Sequence, residues 1–205
     1  MKPHGLAVGL VFALALAAGG CGDLRRGYQP RVGDLVFQSL PHSPIVDAIE
    51  GATHSRYSHC GIVVQRGADF RVLEAIGPVQ ETPLDDWLGR GRLGQFAVFR
   101  LKEPYRSRIP GIIERARRYL GRPYDIHYSF DDDRIYCSEL IFKAFKAEVG
   151  EELGKVRRLG DLDWRPYAAT INQIEEGPPP LDREMITPQD LAESDQLEKV
   201  FSQGI

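Results

Sequence analysis

Hydrophobic and polar positions form four segments along the chain that predict β-strands. Residues 35–37, 60–64 and 70–76 are rich in β-branched and other apolar side chains, and residues 95–101 alternate between apolar and polar ones. Residues 65–69 have the composition of a turn, so the second and third segments are expected to pair as a hairpin. The pattern therefore predicts a hairpin and two further strands.

Other segments carry helical patterns or helix-start signals. The predicted helices span residues 45–49, 83–88, 109–120 and 137–149, and a further one begins at Thr187. Gly121 and Gly150 stand where the two longer helices should stop, because glycine tolerates the left-handed backbone that ends many helices. The chain is thus expected to combine a hairpin with packed helices.

Composition limits the possible functions. The chain has 205 residues, of which 42% are hydrophobic, and this suits one globular domain with an ample core. It has 26 Lys and Arg against 29 Asp and Glu, a net charge of −3 that excludes a strongly basic nucleic-acid binder. Three cysteines are too few for a disulfide scaffold. No nucleic-acid partner is expected, and we expect a monomer.

The N-terminal segment predicts export. Residues 5–18 are almost unbroken Ala, Leu, Val and Gly, too short to span a membrane, and small residues then precede Cys21. Residues 1–20 thus resemble a bacterial lipoprotein signal, with Cys21 as the lipidated residue. An ordinary cleaved signal or an uncleaved anchor would also export the chain. We expect a membrane-anchored lipoprotein of the cell envelope, on the periplasmic face of the outer membrane.

The remaining chain divides into two parts. Residues 21–31 are polar, with glycine and proline, and are expected to be a short tether. Residues 32–205 are expected to be a single domain. Residues 151–205 carry few motifs.

Three side chains form a candidate catalytic group. Cys137 lies in the first turn of a predicted helix, where free backbone N–H groups and the helix dipole favour a thiolate. His59 begins the first strand of the hairpin and is the candidate base. If the turn centres between Arg66 and Gly67, His59 lies opposite Glu74, with Cβ atoms about 5 Å apart. Glu74 could then orient the imidazole.

Other arrangements of the same residue types are weaker. His127 is the rival base, but the sequence around it offers no orienting carboxylate on a rigid element. A zinc site from His54, His59, Cys60 and Cys137 matches no known spacing, and strand alternation places Cys60 on the opposite face from His59, in the core. The acidic run at residues 131–133 lacks the pattern of a calcium loop and is expected to be solvated. Neither a metal nor another cofactor is expected.

Three short motifs resemble those of the NlpC-type papain-like cysteine hydrolases. They are Gly33-Asp34-Leu35-Val36-Phe37, His59-Cys60-Gly61-Ile62-Val63 and Cys137-Ser138-Glu139-Leu140-Ile141. The cysteine motif comes last, an order similar to that of the circularly permuted YiiX/YebB-like branch. The resemblance covers about residues 32–150. It implies an α+β, permuted papain-like fold, in which a small antiparallel sheet or half-barrel packs against helices that include the cysteine helix.

The resemblance also implies roles for individual residues. Cys137 matches the nucleophile, His59 the base, and Glu74 the polar residue that orients the imidazole. Tyr57, Tyr124 and Tyr136 are candidate substrate-binding residues, with packing as the alternative. Cys60 departs from the family, which usually has an aliphatic residue at this position; a small thiol should not disturb the strand.

These residues support a hydrolase that forms a thioester intermediate. The expected substrate is an amide or ester, either a cell-wall peptide or a fatty-acyl amide, and the sequence does not choose between them. The main alternative is a non-catalytic lipoprotein of papain-like fold that binds a lipid or a cell-wall fragment. A lipoprotein that only braces the envelope is a third possibility.

Overall fold

The computed structural model describes residues 27–205, and the predicted signal segment and Cys21 lie outside them. The helices are α1 (Pro44–Ala52), α2 (Leu84–Arg90), α3 (Ile109–Arg117), α4 (Cys137–Val149), α5 (Ala168–Glu175) and α6 (Pro188–Ala192). The strands are β1 (Leu35–Gln38), β2 (His59–Arg66), β3 (Asp69–Ala75), β4 (Val79–Pro83), β5 (Phe96–Leu101), β6 (Arg157–Arg158), β7 (Glu184–Met185) and β8 (Leu197–Gln203). No helix among the described residues is long and apolar enough to cross a membrane.

Six strands form one antiparallel sheet in the order β4-β3-β2-β1-β5-β8, while β6 and β7 pair separately. Both faces of the central strands are buried. Leu35 and Phe37 of β1 point to one face and Val36 to the other, as strand alternation requires. The α+β class and the antiparallel sheet packed against helices are confirmed.

Helix α4 covers the first face of the sheet. Its buried residues Leu140, Ile141 and Phe145 pack with Leu35 and Phe37 in the larger core cluster. Helix α3 lies beside α4. The predicted stop of α4 is confirmed, since Gly150 has a φ of 86°, a conformation that costs glycine little. The start of α4 at Cys137 is confirmed as well.

Helix α2 covers the second face. Trp87 and Leu88 are buried there as predicted, together with Val36 and Val98. Tyr28 joins this cluster: it is 5% exposed and its hydroxyl donates to Asp34 at 2.8 Å. Tyr28, which lies within the predicted tether, therefore packs against the domain.

The pattern of hydrophobic and polar residues does not predict two strands of the sheet, and both lie at its edges. β4 follows β3 after a short turn and carries mostly polar residues, while β8 lies at the opposite edge beside β5. An edge strand is packed on fewer sides, so its alternation is weak. Helix α3 also ends at Arg117, three residues before the predicted end.

Candidate active site

The β2–β3 hairpin brings His59 and Glu74 together in a register that differs from the predicted one. Val63 pairs with Val72 rather than with Phe70, because the turn centres between Gly67 and Ala68. The shift is two residues, and an even shift leaves each side chain on its expected face. His59 Nε2 and Glu74 Oε2 consequently lie 2.5 Å apart, with both side chains buried.

Glu74 is held by two further side chains from neighbouring elements. The Thr82 hydroxyl of β4 donates to Oε1 at 2.5 Å, and the Arg90 guanidinium of α2 donates to both oxygens, at 2.8 Å and 3.0 Å. Burial alone would raise the pKa of Glu74, but the hydrogen bonds and charges of His59, Arg90 and Thr82 lower it to about 2. The carboxylate is therefore charged throughout the physiological range.

His59 lies between this carboxylate and the thiol of Cys137. Its ring also packs against Trp87, with centroids 6.0 Å apart. Burial lowers the pKa of His59, but hydrogen bonds to Cys137 and Glu74 outweigh burial and raise the pKa to about 9. Because Nε2 faces Glu74, Nδ1 is the ring nitrogen that remains for the sulfur.

Cys137 is the first residue of α4, where the backbone N–H groups lack partners within the helix. A hydrogen bond from the Cys60 thiol holds the pKa of Cys137 well below its usual range, although burial opposes it; the hydrogen bond and charge of His59 and the Cys60 backbone N–H act in the same direction. Burial raises the pKa of Cys60, which stays a neutral donor. Cys60 is buried in the core as predicted, but it also contacts the candidate nucleophile, a contact that strand alternation does not indicate.

A cavity of about 100 Å³ opens beside Cys137 and Ser138. Aliphatic side chains from segments far apart in the sequence form most of its wall: Ile45, Ala48, Ile49, Ala52, Ile126, Leu159, Leu162, Ile171, Ile174, Met185, Ile186 and Pro188. Polar groups lie among them: Thr53, Ser58, His127, Tyr128, Glu175, Arg183 and Thr187. The site thus places the Cys137 thiol beside an apolar space.

The segment before α6 forms one wall of this cavity and is fastened to the start of α4 on both sides of Cys137. The Ile186 backbone N–H donates to the Tyr136 hydroxyl at 3.0 Å, and the Ser138 hydroxyl donates to the Ile186 carbonyl at 2.7 Å. Residues 151–205, whose sequence carries few motifs, therefore contribute much of the cavity.

The three predicted substrate-binding tyrosines lie in different surroundings. Tyr136 is fully buried and its hydroxyl accepts the Ile186 N–H, so it packs as part of the scaffold. Tyr57 packs against Phe37 and Phe99 and is not among the residues that line the cavity. Tyr124 lies nearer the site: its hydroxyl is 3.3 Å from that of Tyr128, and burial raises its pKa.

The rival residues lie away from the His59–Glu74 pair. His127 lines the cavity, and its Nδ1 lies 3.4 Å from the Glu175 carboxylate rather than beside Glu74. Glu175 is distant in sequence, so the residues around His127 do not indicate this contact. His54 is largely exposed, 3.5 Å from Asp163. Within residues 27–205, no three His, Cys, Asp or Glu side chains are grouped so as to hold a metal ion.

An antiparallel sheet whose histidine strand precedes a cysteine-bearing helix in the chain is the architecture of permuted papain-like proteins. The family model described as "Permuted papain-like amidase enzyme, YaeF/YiiX, C92 family" matches residues 29–201, and the chain belongs to this family. The chain is accordingly a cysteine hydrolase of the amidase type in general terms.

Two relatives are similar to this chain in sequence, and one of them also in structure. The uncharacterized protein YiiX of Escherichia coli K12 is 35% identical over 176 residues, which are 84% of this chain and 87% of the relative. The crystal structure of metalloprotein yiiX from Escherichia coli O157:H7 is similar, with a TM-score of 0.81 and 35% identity over 86% of this chain and 99% of the other. The donor set of the described residues does not fit a resident metal.

Proposed function

We propose that the protein hydrolyses an amide or ester of an aliphatic acyl group through a thioester on Cys137. The observation that carries the proposal is the position of the Cys137 thiol, between the His59–Glu74 pair and an apolar cavity. An aliphatic chain suits this lining better than a cell-wall peptide, because peptide N–H and C=O groups would lose their hydrogen bonds to water there.

In the proposed reaction the resting site holds a Cys137 thiolate and a His59 imidazolium. The thiolate attacks the carbonyl carbon, and the N–H groups at the start of α4 bind the oxyanion. The imidazolium then gives its proton to the leaving amine or alcohol as the tetrahedral species collapses to the thioester. Neutral His59 next removes a proton from water, the hydroxide attacks the thioester, and the thiolate leaves as the free acid forms.

We further propose that a lipid on Cys21 anchors the domain as a monomer on the periplasmic face of the outer membrane. Acyl chains at a membrane are within reach of such an anchor. This placement agrees with the aliphatic cavity, although the chemistry of the site does not depend on it.

The test compares acetyl, octanoyl and palmitoyl amides of the same chromogenic amine, with an unacylated cell-wall tetrapeptide amide as the alternative substrate. Two additional buried methylene groups, at about 0.8 kcal/mol each, should raise kcat/KM for the longer chains roughly tenfold over acetyl. Acid-quenched protein should carry the acyl group on Cys137 by peptide mapping. Cys137→Ala should lose both turnover and adduct while it keeps the fold.

Ile174→Asp places a carboxylate on the cavity wall and should remove the preference for long chains. Ile109→Asp is the matched control, since Ile109 is also half-buried but contributes no part of the cavity wall. Turnover by Cys137→Ala at the parent rate would refute the mechanism. Tight acyl binding without turnover or adduct in the parent protein would instead support the non-catalytic alternative.

A further inference from the structure

Arg90 ends α2 beside the Glu74 carboxylate. Its Nη1 lies 3.0 Å from Oε2 and its Nη2 lies 2.8 Å from Oε1, a two-pronged contact with one edge of the carboxylate. Glu74 is fully buried, whereas the Arg90 side chain is 27% exposed. Three residues earlier, Trp87 packs on the His59 ring, so one face of α2 contacts both members of the pair.

The hydrogen bonds to Glu74 are divided between its two oxygens. Oε1 accepts from Thr82 and Arg90, and Oε2 faces His59 and Arg90. A guanidinium that bonds both oxygens neutralises part of the carboxylate's charge, which a hydroxyl cannot do because it carries no charge.

We propose that Arg90 is a positioning residue of this site, which acts on His59 by binding both oxygens of the Glu74 carboxylate and sharing its negative charge. This inference rests on the proposed function. Arg90 acts through Glu74 and has no contact with the reacting atoms. The Arg90 cation offsets part of the Glu74 charge that stabilises the imidazolium. It therefore limits the pKa of His59, so that His59 can still release its proton to the leaving group.

The surroundings of His59 fix the sign of the effect. They comprise Glu74 from β3, Cys137 from α4, the neutral Cys60 thiol of its own strand and the Trp87 ring of α2, and His59 pairs with Gln38 of β1. Arg90 is the cation bound to this set through Glu74. Removing a nearby cation favours the imidazolium, so the pKa of His59 should rise above about 9. The Thr82 hydroxyl still binds Oε1 in a variant that lacks Arg90, so the Glu74–His59 contact should remain; loss of that contact would lower the pKa instead.

The experiment measures the rate of Cys137 alkylation by iodoacetamide against pH, with peptide mapping to separate Cys137 from Cys60. In this pH profile, the inflection on the alkaline side is caused by the deprotonation of His59. In Arg90→Gln this inflection should move up by about one pH unit, and kcat for the octanoyl amide should fall about tenfold with KM unchanged, since His59 becomes a weaker acid. Arg90→Lys keeps the charge and should keep the inflection within a few tenths of a unit.

Arg100→Gln is the matched control. Arg100 makes a comparable two-pronged contact with the buried Asp34, at 2.6 Å and 3.2 Å. The Arg100→Gln variant should be less stable in urea, but the alkaline inflection of its Cys137 alkylation should stay where it is in the parent protein. An inflection in Arg90→Gln that is unmoved or lowered overturns the inference. Because alkylation needs no substrate, this result stands even if the parent protein hydrolyses no acyl amide, which would refute the proposed function separately.

Discussion

Glu74→Gln replaces the carboxylate between His59 and Arg90 by an amide of nearly the same shape. In the parent protein His59 donates to a charged acceptor 2.5 Å away, a class of hydrogen bond worth about 1.5–3 kcal/mol, against about 0.5–1.5 kcal/mol for a neutral acceptor. The difference of roughly 1–1.5 kcal/mol corresponds to about one unit of pKa. The remaining Arg90 cation acts in the same direction, because Gln no longer neutralises it.

The pKa of His59 should therefore fall from about 9 by at least one unit. Below that pKa the imidazolium–thiolate pair is present, and it is lost as the pH rises through it. The alkaline limbs of Cys137 alkylation and of hydrolysis should both move to lower pH in Glu74→Gln, and kcat should fall about ten- to one-hundredfold as the imidazole loses its orienting charge.

Glu81→Gln is the matched control for this change. Glu81 lies on the adjacent strand and pairs with Arg117 at 2.8 Å, so the same substitution removes a carboxylate with an arginine partner that does not touch His59. Its alkylation profile should match the parent profile. Far-UV circular dichroism establishes that each variant is folded. An alkaline limb that stays in place in folded Glu74→Gln would refute the electrostatic link between Glu74 and His59.

Two other substitutions have defined outcomes. Cys60→Val removes the thiol that hydrogen-bonds the Cys137 sulfur, so the pKa of Cys137 should rise and the acid inflection of its alkylation profile should move up by about one pH unit, for a loss of about 1.4 kcal/mol; an unmoved inflection contradicts this. Tyr136→Phe leaves the buried Ile186 N–H without its acceptor and should lower the free energy of unfolding in urea by about 1–3 kcal/mol, whereas Tyr119→Phe, which removes only an exposed hydroxyl contact with Asp132, should cost under about 0.5 kcal/mol. A large loss of kcat in Tyr136→Phe at unchanged stability would point to an oxyanion donor instead.

Periodicity in the sequence predicts part of the site, because it indicates which face of a strand a side chain occupies even where it does not give the pairing register of the two strands. The predicted hairpin pairing was wrong by two residues, yet His59 and Glu74 share a face in either register, since side chains alternate with a period of two. The limits of α4 were predictable as well, because the helical spacing of its apolar residues and Gly150 at its end mark the helix that carries Cys137.

The contacts that sequence reasoning missed depend on how elements cross one another. Arg90 reaches Glu74 because α2 lies across the second face of the sheet, and no local pattern encodes that crossing. Thr82 belongs to an edge strand that the sequence did not predict, because most of its residues are polar. The cavity wall joins residues more than 100 positions apart, from Ile45 to Pro188. The paired apolar positions Ile171 and Ile174, one helical turn apart, were the available local signal.

Strand alternation should separate His59 from Cys60, yet both contact the Cys137 sulfur. The explanation lies in the position of His59 at the first residue of β2, where the strand begins and the start of α4 can meet side chains from both faces of the sheet. The second face then supplies the charges that govern the proton, through Glu74 and Arg90, while the first face supplies the neutral thiol beside the sulfur. Proton control and acyl recognition thus use different parts of the chain, because the cavity wall comes from α1, α5 and the segment before α6.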